Sequence, residues 1–175
     1  LPSLTSAADE VVEDPVVLLL NGMQNRYLTL TITSAGTLDV EDRRTGRPYR
    51  NLCYFLDDED AGDEYDYSPA AHGETVTSLD PDAGDTAGVL RSLVHAGPLQ
   101  VTWQVKRLLR LPAGLLEDRS ARAAERVVCP VNLTITMRHN SPTIELDVEV
   151  ENNARDHRLR LVLPAVFHQG ADLGA

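Results

Sequence analysis

Carboxylates and tyrosines crowd one short stretch, Asp57-Asp58-Glu59-Asp60-Ala61-Gly62-Asp63-Glu64-Tyr65-Asp66-Tyr67-Ser68-Pro69. So many acids in one loop repel one another unless water, a cation or arginines neutralise them. The stretch therefore reads as a solvated acidic loop, a docking surface for a partner, or a calcium site. The last fits the known loop pattern poorly. With Gly62 at the obligatory glycine, Asp57, Glu59 and Ala61 fall on the first three ligand positions, and Ser68 stands where a bidentate Glu is needed. Tyr65 and Tyr67 flank Asp66, so an extended backbone points both rings to the same side. Aromatic rings beside acids suit carbohydrate, whose C–H faces pack on the ring while its hydroxyls find polar partners. Two tyrosines anchoring a loop on its own scaffold fit the same pattern.

A second group lies in Asn152-Asn153-Ala154-Arg155-Asp156-His157-Arg158-Leu159-Arg160-Leu161. Leu159, Leu161 and Leu163 are expected to face a core, with Arg158 and Arg160 on the opposite face. Those guanidiniums suit structural ion pairs across strands with carboxylates such as Asp63 or Glu64. They equally suit an anionic sugar substituent.

Other chemistries find no support. His72, His95, His139, His157 and His168 are scattered without ligand spacing, so no metal site is assigned. There is no Gly-x-Ser-x-Gly, no phosphate-cradling glycine loop and no paired Cys and His. Cys53 and Cys129 sit among apolar strand residues and read as buried free thiols, a single disulfide being the alternative. Asn132-Leu133-Thr134 matches a glycosylation sequon inside an expected strand and is read as accidental.

The elements that must position these residues are strands. Leu28, Leu30 and Ile32 alternate with threonines; Leu99, Val101, Trp103 and Val105 with polar residues; Val131, Leu133, Ile135 and Met137 likewise; and Ile144, Leu146, Val148 and Val150 with acids. A period of two puts one face on a core and the other in water. Turn residues separate the runs at Ala35-Gly36, Thr45-Gly46, Ala96-Gly97-Pro98 and Asn140-Ser141-Pro142. The pattern predicts an all-β, antiparallel β-sandwich with at most one short helix, over residues 116–127. Residues 1–12 are expected to be a frayed N-terminal segment, and residues 80–85 a polar loop.

The 175 residues suit a single β-sandwich domain. A formal net charge of -11 argues against nucleic acid, whose binding needs Lys and Arg on phosphates, and against anionic membranes. The longest apolar run, residues 16–20, is a strand's worth. With no signal peptide in view, the cytoplasm is the expected compartment. The missing initiator Met and the stop just after an apolar strand predict a fragment of a larger multidomain enzyme.

The residues also resemble a family. Asn25-Arg26-Tyr27-Leu28, Gly36-Thr37-Leu38 and Thr45-Gly46 are similar to the opening hairpins of the C-terminal β region of glycoside hydrolase family 38, the α-mannosidases. The stretch from Asp60 to Pro69 resembles the acidic Gly-Asp-Glu-Tyr loop of its bacterial branch, which includes mannosylglycerate hydrolases. Residues 153–160 resemble a further family segment. The resemblance runs over about residues 16–167. It implies a galactose mutarotase-like supersandwich, here partial, within a zinc-dependent, retaining hydrolase of α-mannosides. It implies that the zinc ligands and both catalytic carboxylates lie in a preceding catalytic domain, so no catalytic residue is assigned in this chain. It also implies that a tyrosine of this region reaches the sugar. Tyr65 matches that pattern best; one extra residue after Gly62 leaves Tyr67 as a rival, with Asp63 and Glu64 positioning the ring or meeting a sugar hydroxyl.

Three functions follow as expectations. The first is the β domain of an α-mannosidase, completing the active-site wall around a mannose-containing carbohydrate. The second is a stand-alone carbohydrate-binding or interaction module, for which the one tryptophan, Trp103, is expected to be unavailable in the core. The third is a calcium-stabilised structural domain.

Overall fold

A computed structural model of the chain describes residues 12–63, 65–80 and 88–164. The expectations for Glu64, His168 and nearly all of the frayed and polar-loop segments lie outside these residues. Among the described residues every named element is a strand, and every paired neighbour runs antiparallel.

The first five strands form a meander in chain order: β1 (Val17–Leu19), β2 (Gly22–Gln24), β3 (Leu28–Ile32), β4 (Leu38–Asp42) and β5 (Arg47–Leu52). A four-stranded sheet contains β8 (Leu90–Ala96), β9 (Gln100–Pro112), β10 (Arg126–Arg138) and β11 (Ile144–Val150), in the order β11-β10-β9-β8. A small third sheet places β6 (Tyr54–Glu59) between β7 (Val76–Thr77) and β12 (His157–Val162).

The turns do what their residues demand. Gly36 has φ +72°, the left-handed region, and a Cβ there would meet the Arg107 Nη2 atom at 2.4 Å. Asn25, 2% exposed, uses its whole amide. Its Oδ1 accepts from the Tyr27 and Leu28 N–H groups at 2.8 and 2.9 Å, and its Nδ2 donates to the Arg138 and Ser141 carbonyls at 2.8 and 2.7 Å. One side chain thus shapes a tight turn of the meander and ties it to the β10–β11 connection.

Two apolar clusters result. Met23, Leu30, Ile32, Leu38 and Val40 of the meander meet Val101, Trp103, Val105, Leu133, Ile135 and Met137 of the four-stranded sheet. Phe55 and Val76 of the small sheet meet Leu109, Leu111, Cys129 and Val131, which belong to the other ends of the same two long strands. Each fully buried aliphatic side chain here contributes roughly 2 kcal/mol of transfer free energy. Trp103 is buried as expected, and its indole Nε1 donates to the Gly22 carbonyl at 3.2 Å.

Three core expectations, for Leu99, for Leu163 and for the pair Val148 and Val150, need correction, whereas residues 116–127, the one stretch where the sequence allows a short helix, form turns and the start of β10. The β9–β10 ladder continues through them: Ala113 N–H donates to Glu125 O at 2.8 Å and Ala123 N–H to Gly114 O at 2.9 Å. Those backbone groups are committed across the hairpin and cannot serve a helix. Leu99 is 56% exposed because it lies in the tight β8–β9 turn, and Leu163 is 52% exposed beyond the end of β12. Val148 and Val150 point to the core side but stand at the sheet edge, exposed at 37% and 38%.

A tyrosine loop over buried charge: the candidate site

The acidic stretch divides in two. Asp57, Asp58 and Glu59 belong to the end of β6, the middle strand of the small sheet, and are 1%, 7% and 5% exposed. They are not part of a solvated loop. Burial of carboxylates demands partners, and each has them. Asp57 receives the Arg122 Nη2 at 2.9 and 3.1 Å. The His157 Nδ1 lies 2.9 Å from its Oδ1. The His157 Nε2 lies 3.0 Å from Asn152 Oδ1, the atom that accepts from the Ala154 N–H at 3.1 Å. Arg122 also donates to the Asp57 and Glu74 carbonyls. Glu59 accepts from the Glu74 N–H at 3.0 Å.

Asp58, and not Asp63, takes both arginines of β12. Arg158 reaches it at 3.3 Å, Arg160 is also paired with it, and the Thr75 hydroxyl donates at 2.9 Å. The physical reason is register: β12 pairs with β6 so that Arg158 lies opposite Asp58 and Arg160 opposite Leu56. The expected partner Asp63 is beyond the ladder, and Glu64 lies outside the described residues. Burial raises the Asp58 carboxyl pKa, but Thr75, Arg160 and Arg158 together outweigh it and leave the group below its ordinary range.

Residues 60–63 and 65–69 form the loop proper, closed by backbone bonds from Ala61 N–H to Ser68 O at 2.7 Å and from Asp60 N–H to Asp156 O at 2.9 Å. Its acids fold it. Asp60 Oδ1 accepts from the Gly62 and Ser68 N–H groups at 2.9 and 3.1 Å. Asp63 Oδ1 accepts from Tyr65 and Asp66 at 2.9 Å each, and these bonds hold its carboxyl below the usual range. Such side-chain-to-backbone bonds replace a ladder where none is available. Gly62 is required, because a Cβ there would lie 1.7 Å from the Asp66 carbonyl.

The two tyrosines part company. Tyr67, 43% exposed, lies under the Arg158 guanidinium, whose carbon is 3.6 Å from the ring centroid. Tyr65 stands out at 88% exposure. The backbone turns at Asp63, whose carboxylate accepts from the N–H groups two and three residues on. Beside the loop, a depression of about 320 Å³ opens between Asp60, Gly62, Asp63, Arg119, Asp156 and His157. A larger hollow of about 660 Å³, near Arg26, Leu99 and His139, lies at the opposite end of the β9–β10 hairpin, away from these groups.

The structure thus brings Asp63, Tyr65 and Tyr67 into one loop, sets Arg158 on the Tyr67 ring and pairs both Arg158 and Arg160 with Asp58. The sequence marks Asp57 and His157 only as members of their stretches, and it singles out neither Arg122 nor Arg119, since a polar connection gives no sign of which arginine turns inward. Among the described residues no three His, Cys, Asp or Glu side chains converge to hold a metal. The arrangement keeps charge inside, neutralised, and presents a phenol outward.

Comparison with known proteins gives a consistent picture. A protein of Halalkalibacterium halodurans, named provisionally as a mannosylglycerate hydrolase, is 26% identical over 180 aligned residues, 95% of this chain and 19% of that protein. A solved α-mannosidase from Enterococcus faecalis superposes with a TM-score of 0.79 at 21% identity, covering 87% of this chain and 18% of its own. A glycosyl hydrolase family 38 structure from the same organism gives 0.78 at 20% identity, covering 87% and 19%. No family model matches the chain. The chain therefore spans about a fifth of the length of the relative it matches. These similarities bear out the resemblance to glycoside hydrolase family 38 drawn from the residues.

Proposed function

We propose that this chain is part of the C-terminal β region of a family 38 α-mannosidase, and that its tyrosine loop forms one wall of the sugar site of a catalytic domain elsewhere in the polypeptide. The observation that carries the reading is a loop fixed by its own hydrogen bonds that leaves Tyr65 88% exposed. A large ring standing in solvent on an anchored backbone contributes little to this fold, and is suited to a surface supplied from elsewhere. The small share of the relatives' lengths that the chain covers supports a larger parent.

In this reading Tyr65 contacts the mannose, while Asp63 sets the ring's backbone and Glu64 stands ready for a sugar hydroxyl. Tyr67, spent on Arg158, is the weaker rival. In this reading zinc and the two carboxylates of a retaining reaction belong to that catalytic domain. Two buried free thiols, Cys53 and Cys129, favour a reducing, cytoplasmic setting. No helix among the described residues is long and apolar enough to cross a membrane.

The test is Tyr65→Phe in the full-length enzyme. Loss of a hydrogen bond made in the transition state lowers kcat/KM by about 1–3 kcal/mol in barrier terms. An unchanged kcat/KM rules the role out. The stand-alone module has less behind it, since Trp103 is 8% exposed and cannot serve as a sugar platform; saturable binding of mannose by the isolated chain would reinstate it.

A further inference from the structure

Two residues beneath the tyrosine loop hold left-handed backbones: Arg119 with φ 56° and Asp156 with φ 50°. Non-glycine residues rarely adopt this region, and they stay there only when their surroundings hold them. The two side chains meet, the Arg119 Nη1 lying 3.3 Å from Asp156 Oδ1. Each also grips the loop. The Arg119 Nη2 donates to the Gly62 carbonyl at 3.1 Å, and the Asp156 carbonyl accepts from the Asp60 N–H at 2.9 Å.

Arg119 is not on a free segment. Three residues on, Arg122 sinks to 2% side-chain exposure against Asp57, and the Ser120 carbonyl accepts from the His72 N–H at 2.9 Å. The β9–β10 connection is thereby fastened to β6 at one point and reaches the loop at another. We infer that Arg119 and Asp156 form a clamp that sets where Tyr65 stands, which makes Arg119 a positioning residue of the sugar site; this rests on the role proposed for Tyr65. The clamp acts at Gly62, three positions from Tyr65, where the backbone has no side chain of its own to steady it. Arg119 itself is 46% exposed, so its removal opens no core and its effect separates from that on folding.

The test uses the full-length enzyme with an aryl α-mannoside. Arg119→Ala lowers kcat/KM about tenfold, as misplacement of a contacting group does, while the melting temperature stays within about 2 °C. Hydrogen exchange across residues 60–69 becomes faster. In a Tyr65→Ala background the Arg119→Ala effect on kcat/KM disappears, because the clamp then has nothing to position. An equal loss in both backgrounds, or unchanged exchange in the loop, overturns the inference. If Tyr65→Ala leaves turnover untouched, the sugar-wall reading falls and the site role of Arg119 with it, while the exchange measurement still decides whether the clamp exists. Should Arg119→Ala fail to fold, Asp156→Asn, which weakens the same ion pair and keeps the backbone acceptor, carries the same expectations.

Discussion

The Arg122 guanidinium closes on the Asp57 carboxylate at 2.9 Å with the two side chains 2% and 1% exposed. A buried pair adds little over an apolar replacement, but removing one partner strands the other charge. Arg122→Met is therefore expected to destabilise the fold by about 3–5 kcal/mol, read by urea unfolding. Adding Asp57→Leu should recover much of the loss. Equal stability of the single variant and the parent sequence would show that the pair is not closed in solution.

Acid should act on the fold through Asp58. Its folded-state pKa lies below the ordinary value despite burial, through Thr75, Arg160 and Arg158. A depressed carboxyl contributes stability above its unfolded pKa of about 4 and loses it as pH falls through the folded value. Melting temperature should thus drop on acidification below about pH 4. Asp58→Asn should show a lower melting temperature at neutral pH and a flatter acid limb.

Gly62→Ala is the sharpest probe of the loop. The added methyl would sit 1.7 Å from the Asp66 carbonyl, so the turn must reopen. Because Gly62 lies outside both apolar clusters, a loss of stability within about 1 kcal/mol is expected. Turnover of the full-length enzyme should fall as Tyr65 is displaced. Retained turnover would mean that the loop's shape is irrelevant to activity.

The thiols should be inert in the native state. Burial pushes the Cys53 thiol up to about 11 against the opposing pull of Arg107, and Cys129 is 0% exposed. Alkylation at about pH 8 should therefore be slow until denaturant is added, after which both cysteines react without prior reduction. Fast native labelling would contradict the packing.

The strands were legible because alternation survives in any chain with one buried face. Leu28–Ile32 and Val131–Met137 follow it residue by residue. Residues 116–127 stay open in the sequence because helix-forming residue types carry no sign of a hairpin that already owns the backbone. At the site, composition showed where acids gather but not which are inside. Asp57 and Asp63 look alike in sequence. One is buried by β12 on its flank and Arg122 above it; the other turns a loop in solvent. Arg158 and Arg160 were recognised as ion-pair formers, and only the strand register could name Asp58 as their partner.

β9 and β10, each of thirteen residues, pass through both apolar clusters, and Leu161 touches both as well. Neither half can melt without stripping cover from a ribbon the other half needs. Heating should consequently produce one transition, not two. A cavity carved at Ile135, in the first of the two clusters, should be felt at Tyr65 as a loosened foundation.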